Sequence, residues 1–273
     1  MIHLDVLAGV SLFAGAWTGA WLARGARPRP GEVAALVVAL GALLVVLNGP
    51  LHDLSDRSLF SAHMVQHLVL TLVVPPMLLV ATPGWMVDGL VRSDALARAA
   101  RAVTRPLSAL ALYTVALVGW HVPGPFALAL EVHAWHIVEH LTLMVTATLA
   151  WWPVLARSAR APRVHYAAQI LYLFAFGLPM TAVAAMITGA ETLLYPFYAA
   201  APRVFELTPL ADQRLGGVIM WVPAGLVPLL AFTVSFFRWA AAERDTDEVA
   251  LAPSLPFPLP APLSREVAGK EKP

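Results

Sequence analysis

Long apolar segments alternate with short polar loops along the chain, and this pattern predicts helices that cross a membrane. An α-helix needs roughly 20 apolar residues to cross a bilayer core. Segments of this kind lie at roughly 4–23, 33–51, 63–81, 107–121, 132–152, 167–187 and 217–238. The fourth is short, and Pro106 suits its start because proline fits the first helical turn. The sequence therefore predicts an all-α polytopic membrane protein, a bundle of seven transmembrane helices.

Composition agrees with a chain solvated by lipid and excludes several classes of function. Hydrophobic residues make up 59% of the chain and charged residues 13%, with a mean hydropathy of +0.71. Soluble domains carry about twice that charged fraction. The net charge of +1, with arginines scattered along the chain, argues against nucleic-acid binding. The absence of cysteine excludes disulfides, thiolate metal sites and cysteine nucleophiles.

The loop charges predict an orientation. Most arginines lie in the loops after the first, third and fifth segments, namely Arg24, Arg27, Arg29, Arg92, Arg98, Arg101, Arg105, Arg157, Arg160 and Arg163. The positive-inside rule places these loops in the cytoplasm and the amino terminus outside. Since no basic residue precedes the first segment, we expect a retained span and not a cleaved signal peptide.

The carboxyl-terminal part differs in composition from the rest. It is charged from about Ala240 and then runs PSLPFPLPAPL. Such a stretch has no continuous apolar face and favours an extended backbone. We therefore expect a transmembrane domain over residues 1–239 and a disordered, proline-rich cytoplasmic tail over residues 240–273.

Histidines concentrate at the predicted outer ends of the segments. Eight of the nine lie there: His3, His52, His63, His67, His121, His133, His136 and His140. Imidazole is the commonest metal ligand and is costly to place near lipid without a partner. Residues three or four apart share one face of a helix, so His63 and His67 form one pair, and His133, His136 and His140 form a stripe. Glu139 lies beside that stripe, well inside a predicted span.

Residue spacing alone leaves three kinds of chemistry open. The stretch from His136 to His140 matches the H-x-x-E-H pattern of inverted zinc proteases, in which Glu139 would be the base. Histidines that face each other across a bundle can also ligate haem iron. The third chemistry is copper binding for delivery to another protein. Asp212 precedes the last span, where it would either cap that helix or face the histidines.

Five blocks of the sequence resemble a known family. In order over about residues 48–238, HMVQHLVL, WHVPGPFALAL, HAWHIVEH followed by WWP, LLYPFY and DQRLGGVIMWVP are similar to the seven-helix CtaG family of cytochrome c oxidase assembly factors. The resemblance implies a non-catalytic, multi-pass protein of the bacterial plasma membrane that supplies copper to a subunit of a haem–copper oxidase. The family's motif positions correspond to His63, His67, His121, His133, His136, Glu139, His140, Asp212 and Gln213.

Taken together, the residues and the resemblance lead us to expect a copper site near the outer membrane face. We expect His63, His67, His136 and His140 to be the ligands, and Glu139 to orient a ligand or balance charge. The candidates for a relay that passes the ion on, or for the mouth of the site, are His121, His133 and Asp212. Zinc and haem remain the alternative occupants. The sequence does not specify the oligomeric state.

Overall fold

Helices account for all the regular structure in the part of the chain that the structure describes. This computed structural model describes residues 3–251, with side chains over residues 3–244. The first half comprises α1 (Leu4–Arg24), α2 (Pro30–Val46), α3 (Pro50–Arg57), α4 (Phe60–Leu68), a π-helical segment (Val69–Val73), α5 (Val74–Ala81), α6 (Gly84–Leu90) and α7 (Asp94–Thr104). The second half comprises α8 (Pro106–His121), α9 (Pro123–Glu131), α10 (His133–Leu155), α11 (Tyr166–Gly189), a 3-10 turn (Pro196–Ala199) and α12 (Pro209–Leu251).

Several of these helices are long and apolar enough to cross a membrane. Five helices meet that condition among the described residues, and the number rises to seven if each of two bent pairs forms one span. The pairs are α2 with α3, bent by 49°, and α7 with α8, bent by 65°. The prediction of an all-α polytopic membrane protein is therefore confirmed. The count of seven and the orientation stay predictions.

The predicted boundaries agree with the structure in some places and differ in others. Helix α8 begins at Pro106, as expected for proline in a first turn. Helix α12 runs through the predicted domain boundary at 239 and continues to Leu251. The proline-rich stretch of the predicted tail lies in residues 252–273, outside the described residues, so its disorder stays a prediction.

A π-helical segment separates α4 from α5, and two consecutive prolines explain it. Pro75 and Pro76 have no backbone N–H, so the carbonyls one turn earlier lose their usual helical donors. The backbone widens, and the N–H of Val74 bonds to the carbonyl of Val69. The carbonyl of Thr71 accepts instead from the indole Nε1 of Trp151, at 3.0 Å. Helix α10, which carries Trp151, is thereby fixed against this segment.

Close packing by α12 positions α4 within the bundle. Two consecutive glycines of α12 let its backbone approach both neighbours. Gly216 lies against the ring of Phe60, at the start of α4, and Gly217 lies against Thr188 of α11. A Cβ atom at Gly217 would lie 2.8 Å from the backbone nitrogen of Thr188. A large buried cluster that includes Phe60, Met64, Leu143 and Met220 continues from there between the helices.

Polar bonds join the helices at the end of the bundle opposite the histidines. Arg157 pairs with the buried Glu32 at 3.1 Å, and the backbone N–H groups of Ala159 and Arg160 donate to Asp88. Partial burial acts to raise the pKa of Asp88. The hydrogen bonds that its carboxylate accepts, the first from the Ser158 hydroxyl, outweigh this effect and leave the pKa below its ordinary value. These bonds hold the end of α10 in place.

We expect Gly217→Ala to destabilise the protein, because the added methyl group would have to displace the backbone of α11. Overpacking of this kind costs about 1–3 kcal/mol. Thermal unfolding of the purified chain in detergent measures the loss as a lower Tm. Gly225→Ala is the matched control, since this glycine lies on the same helix with open space at its Cβ position. Equal Tm values for the two variants would contradict the proposed close approach.

Candidate metal centre

Four metal-binding side chains from two helices meet inside the bundle. Helix α4 supplies His63 and His67, one turn apart, and α10 supplies Glu139 and His140. Each side chain offers one donor atom, and these atoms all lie within 4.8 Å of one another. All four residues are buried. The structure therefore brings together three of the four predicted ligands, His63, His67 and His140. It adds Glu139 as the fourth donor.

The Glu139 carboxylate lies between the two imidazoles of α4. Its Oε1 is 3.4 Å from Nε2 of His67, and its Oε2 is 3.7 Å from Nε2 of His63. Ligand bonds of about 2.0–2.1 Å in a tetrahedral site place neighbouring donors roughly 3.3 Å apart. The two observed separations approach that value, so His63, His67 and Glu139 are spaced nearly as ligands of one ion would be.

Three of the four side chains have polar atoms without a hydrogen-bond partner among the described residues. Both ring nitrogens of His63 and His67, and both carboxylate oxygens of Glu139, are buried without a hydrogen-bond partner there. An unsatisfied buried polar group costs free energy, and an unpaired buried charge costs more. One metal cation would satisfy a single nitrogen of each ring together with the carboxylate. The donor set thus fits a transition metal that accepts imidazole and carboxylate.

A second group of donors adjoins the first on its more exposed side, towards α3. Asp56 of α3, His63 and His136 offer atoms that also lie within 4.8 Å of one another. Nδ1 of His136 is 3.7 Å from Oδ2 of Asp56, and Nε2 of His136 is 3.1 Å from Nε2 of His140. The predicted ligand His136 therefore belongs to the second group and contacts the four-residue set through His140, but it lies outside that set.

Sequence reasoning missed Asp56 and also Gln66. Asp56 lies four residues after His52, a spacing that puts both on one helical face, and its Oδ2 is 3.2 Å from Nε2 of His52. That spacing was the available signal. Gln66 donates to the carbonyl of Val46 at 2.5 Å, and its Nε2 is 3.0 Å from Nδ1 of His52. It ties α4 to the end of α2.

Three further histidines surround these groups. The His3 ring lies 4.3 Å from that of His52 and 5.8 Å from that of His133, which is exposed at the start of α10. These rings, with His136 and His140, line an otherwise largely apolar cavity of about 430 Å³ between α1, α2 and α10. His133 therefore lies at the mouth and away from the four-residue set.

His121 lies on the inner side of the site. Its Nδ1 donates to the carbonyl of Leu117 at 2.7 Å, which fixes the ring, and its Nε2 is buried without a hydrogen-bond partner among the described residues. The ring centroid is 5.4 Å from that of His67. His121 is a neighbour of the donor set and does not belong to it, and its role as a relay stays a prediction.

Asp212 caps a helix, though not the one considered from the sequence. Its carboxylate accepts hydrogen bonds from the backbone nitrogens of Phe60, at 2.7 Å, and Ser61, at 3.3 Å. These N–H groups begin α4 and have no partner within the helix. Gln213 accepts from the backbone nitrogen of Leu194 at 2.7 Å. The DQ pair therefore positions α4 and the loop that precedes α12. Neither residue belongs to a donor group.

Comparison with known proteins gives one family match and two relatives. The family model described as cytochrome c oxidase caa3 assembly factor (Caa3_CtaG) matches residues 13–242. Two proteins described as uncharacterized, from Mycobacterium bovis and Mycobacterium tuberculosis, are each 24% identical to the chain over 220 residues. The alignment covers 74% of this chain but 33% of each relative, so the chain spans about a third of their length. No solved structure gives a significant match.

We expect Asp212→Ala to lower stability by about 1–2 kcal/mol, because the first N–H groups of α4 would lose their acceptor. Asp212→Asn keeps one carbonyl oxygen and should lose less. Thermal unfolding in detergent measures both. Asp94→Ala is the control, since its exposed ion pair with Arg160 contributes little. Unchanged stability with abolished copper binding in Asp212→Ala would instead make Asp212 a ligand.

Proposed function

Because the chain belongs to the cytochrome c oxidase caa3 assembly factor family, we propose that it binds copper and delivers it to a haem–copper oxidase during assembly. The observation that carries this proposal is the buried donor set of His63, His67, Glu139 and His140. Its nitrogen and oxygen atoms are close enough to share one ion, and most of them have no hydrogen-bond partner.

The chemistry of the donors supports copper as the cargo. Imidazole ligands suit copper, zinc and iron, and sites of this kind bind Cu²⁺ more tightly than the other divalent first-row metals. The chain contains no cysteine, so no thiolate closes the site. Imidazoles exchange more readily than thiolates at such a metal. A site made of them can therefore load and release an ion, and the proposed function requires no catalytic turnover.

The position of the site supports delivery outside the cytoplasm. The donors lie near the starts of α4 and α10, whereas the arginine-rich loops lie at the other ends of the same spans. The positive-inside rule assigns the arginine-rich ends to the cytoplasm. We therefore propose that the protein resides in the bacterial plasma membrane and presents copper at its outer face to an oxidase subunit.

The geometry supports copper transfer over the hydrolase alternative. A zinc protease of the H-x-x-E-H type would hold its metal with His136 and His140 and keep Glu139 free as a base. Glu139 instead faces His63 and His67, where it is itself a candidate ligand.

Metal binding by the purified full chain in detergent tests the proposal. Wild type should bind copper, and His67→Ala or Glu139→Gln should bind it at least about tenfold more weakly. The first removes a donor and the second replaces an anionic donor with a neutral one, and even changes to the partners of ligands have effects of this size. His165→Ala is the matched control, since this histidine is exposed at the arginine-rich end. A Soret band would identify haem. Bound zinc with peptide cleavage that Glu139→Gln abolishes would identify a protease. Either result overturns the proposal.

Oxidase assembly in cells gives a second, independent test. Cells that lack the protein should make oxidase polypeptides with little copper and little activity, most clearly in copper-poor medium, because no other step would supply the ion efficiently. His165→Ala should restore activity to such cells, and the double variant His67→Ala/Glu139→Gln should not. Full oxidase activity without the protein in copper-poor medium would contradict the assembly role.

A further inference from the structure

We propose that the outer donor group, Asp56 with His136 and His63, is a second copper position that receives the ion from outside and passes it to the inner set. This inference rests on the proposed function, since it assumes that the inner set binds copper. It assigns to Asp56 a role in metal entry, and it makes His136 a transfer ligand.

The two nitrogens of His136 face the two groups. Its Nδ1 lies 3.7 Å from Oδ2 of Asp56, and its Nε2 lies 3.1 Å from Nε2 of His140 in the inner set. His63 belongs to both groups, and neither of its nitrogens has a hydrogen-bond partner among the described residues. An ion can therefore move inward while it remains bound to at least one of these rings.

Exposure falls steadily along this series of donors. The side chain of Asp56 is 27% exposed, that of His136 is 6% exposed and that of His63 is fully buried. The exposed His133 and the half-buried His3 lie further out, and both line the cavity that also reaches His136 and His140. A hydrated ion would thus lose water stepwise as it meets successive ligands.

The chemistry of transfer is ligand exchange without a change of oxidation state. At each step one bond from the metal to a donor forms as another breaks, first with Asp56 released and a donor of the inner set gained. Carboxylate oxygen is a hard ligand and imidazole a borderline one, a combination that accepts Cu²⁺. The anionic Asp56 at the outer side also attracts a cation before any buried ligand is reached.

Loading kinetics with Cu²⁺ supplied as its glycine complex test this inference on the purified full chain. Asp56→Asn should slow loading about tenfold or more, because the entry ligand is lost. The copper content reached at the end should remain, since all four inner donors are present. Asp53→Asn is the matched control, because it removes a carboxylate from the same helix outside both donor groups. Equal Tm values for the variants and wild type establish that folding is unaffected.

The second measurement is copper binding by a chain whose inner set lacks two of its donors. The double variant His67→Ala/Glu139→Gln should retain a weaker Cu²⁺ site, and addition of Asp56→Asn should remove it. If wild type binds no copper, the proposed function itself fails. If wild type binds copper but Asp56→Asn loads at the wild-type rate, or the double variant binds none, only the second position is overturned.

Discussion

The contact of Glu139 with His63 and His67 is the constraint on which the rest of the structure depends. A carboxylate and two imidazoles are buried together in an apolar bundle, and their polar atoms have no other partners among the described residues. A bound cation would offset the cost of burying these polar groups together. The fold must therefore hold α4 and α10 at a fixed separation and in a fixed rotation. Many of the polar and small residues elsewhere contribute to that task.

Helix α4 is held at both ends and along its side by residues that are not ligands. Asp212 caps its start, and the Phe60 ring packs against Gly216 of α12. Gln66 bonds α4 to the end of α2. At the far end, Trp151 bonds to the carbonyl of Thr71 in the π-helical segment. The motif DQRLGG therefore contributes to the candidate metal centre by positioning α4, although it supplies none of the clustered donors.

The helical architecture and the pairing of the two histidine-bearing segments could be predicted from the sequence. The apolar segments predicted the long helices, the 3–4-residue spacing predicted which histidines share a face, and the motif blocks predicted the family. The helices and the shared faces of the histidines are local features, because each depends on residues close together along one helix.

The finer geometry of the site could not be predicted, because it depends on contacts between distant parts of the chain. Asp212 lies 152 positions after the first residue of the helix that it caps, and no local pattern reveals such a partner. Asp56 lies on a short helix after a bend of 49°, outside any predicted span. Glu139 belongs to the donor set itself because of the rotation of α10 about its axis. Residue spacing alone does not specify that rotation.

The π-helical segment lets the chain hold an extra residue between HMVQH and the proline pair without changing the direction in which His63 and His67 face. It places one more residue in its turn than an α-helix would hold, and each residue of an α-helix turns the chain by about 100°. Excision of a single apolar residue from Val69–Val73 would restore an α-helical turn and leave both imidazoles directed at Glu139. Excision of a second residue would rotate them by about 100°, because no extra residue would remain in the turn. Relatives that differ by one residue in this interval can therefore keep the same arrangement of histidines.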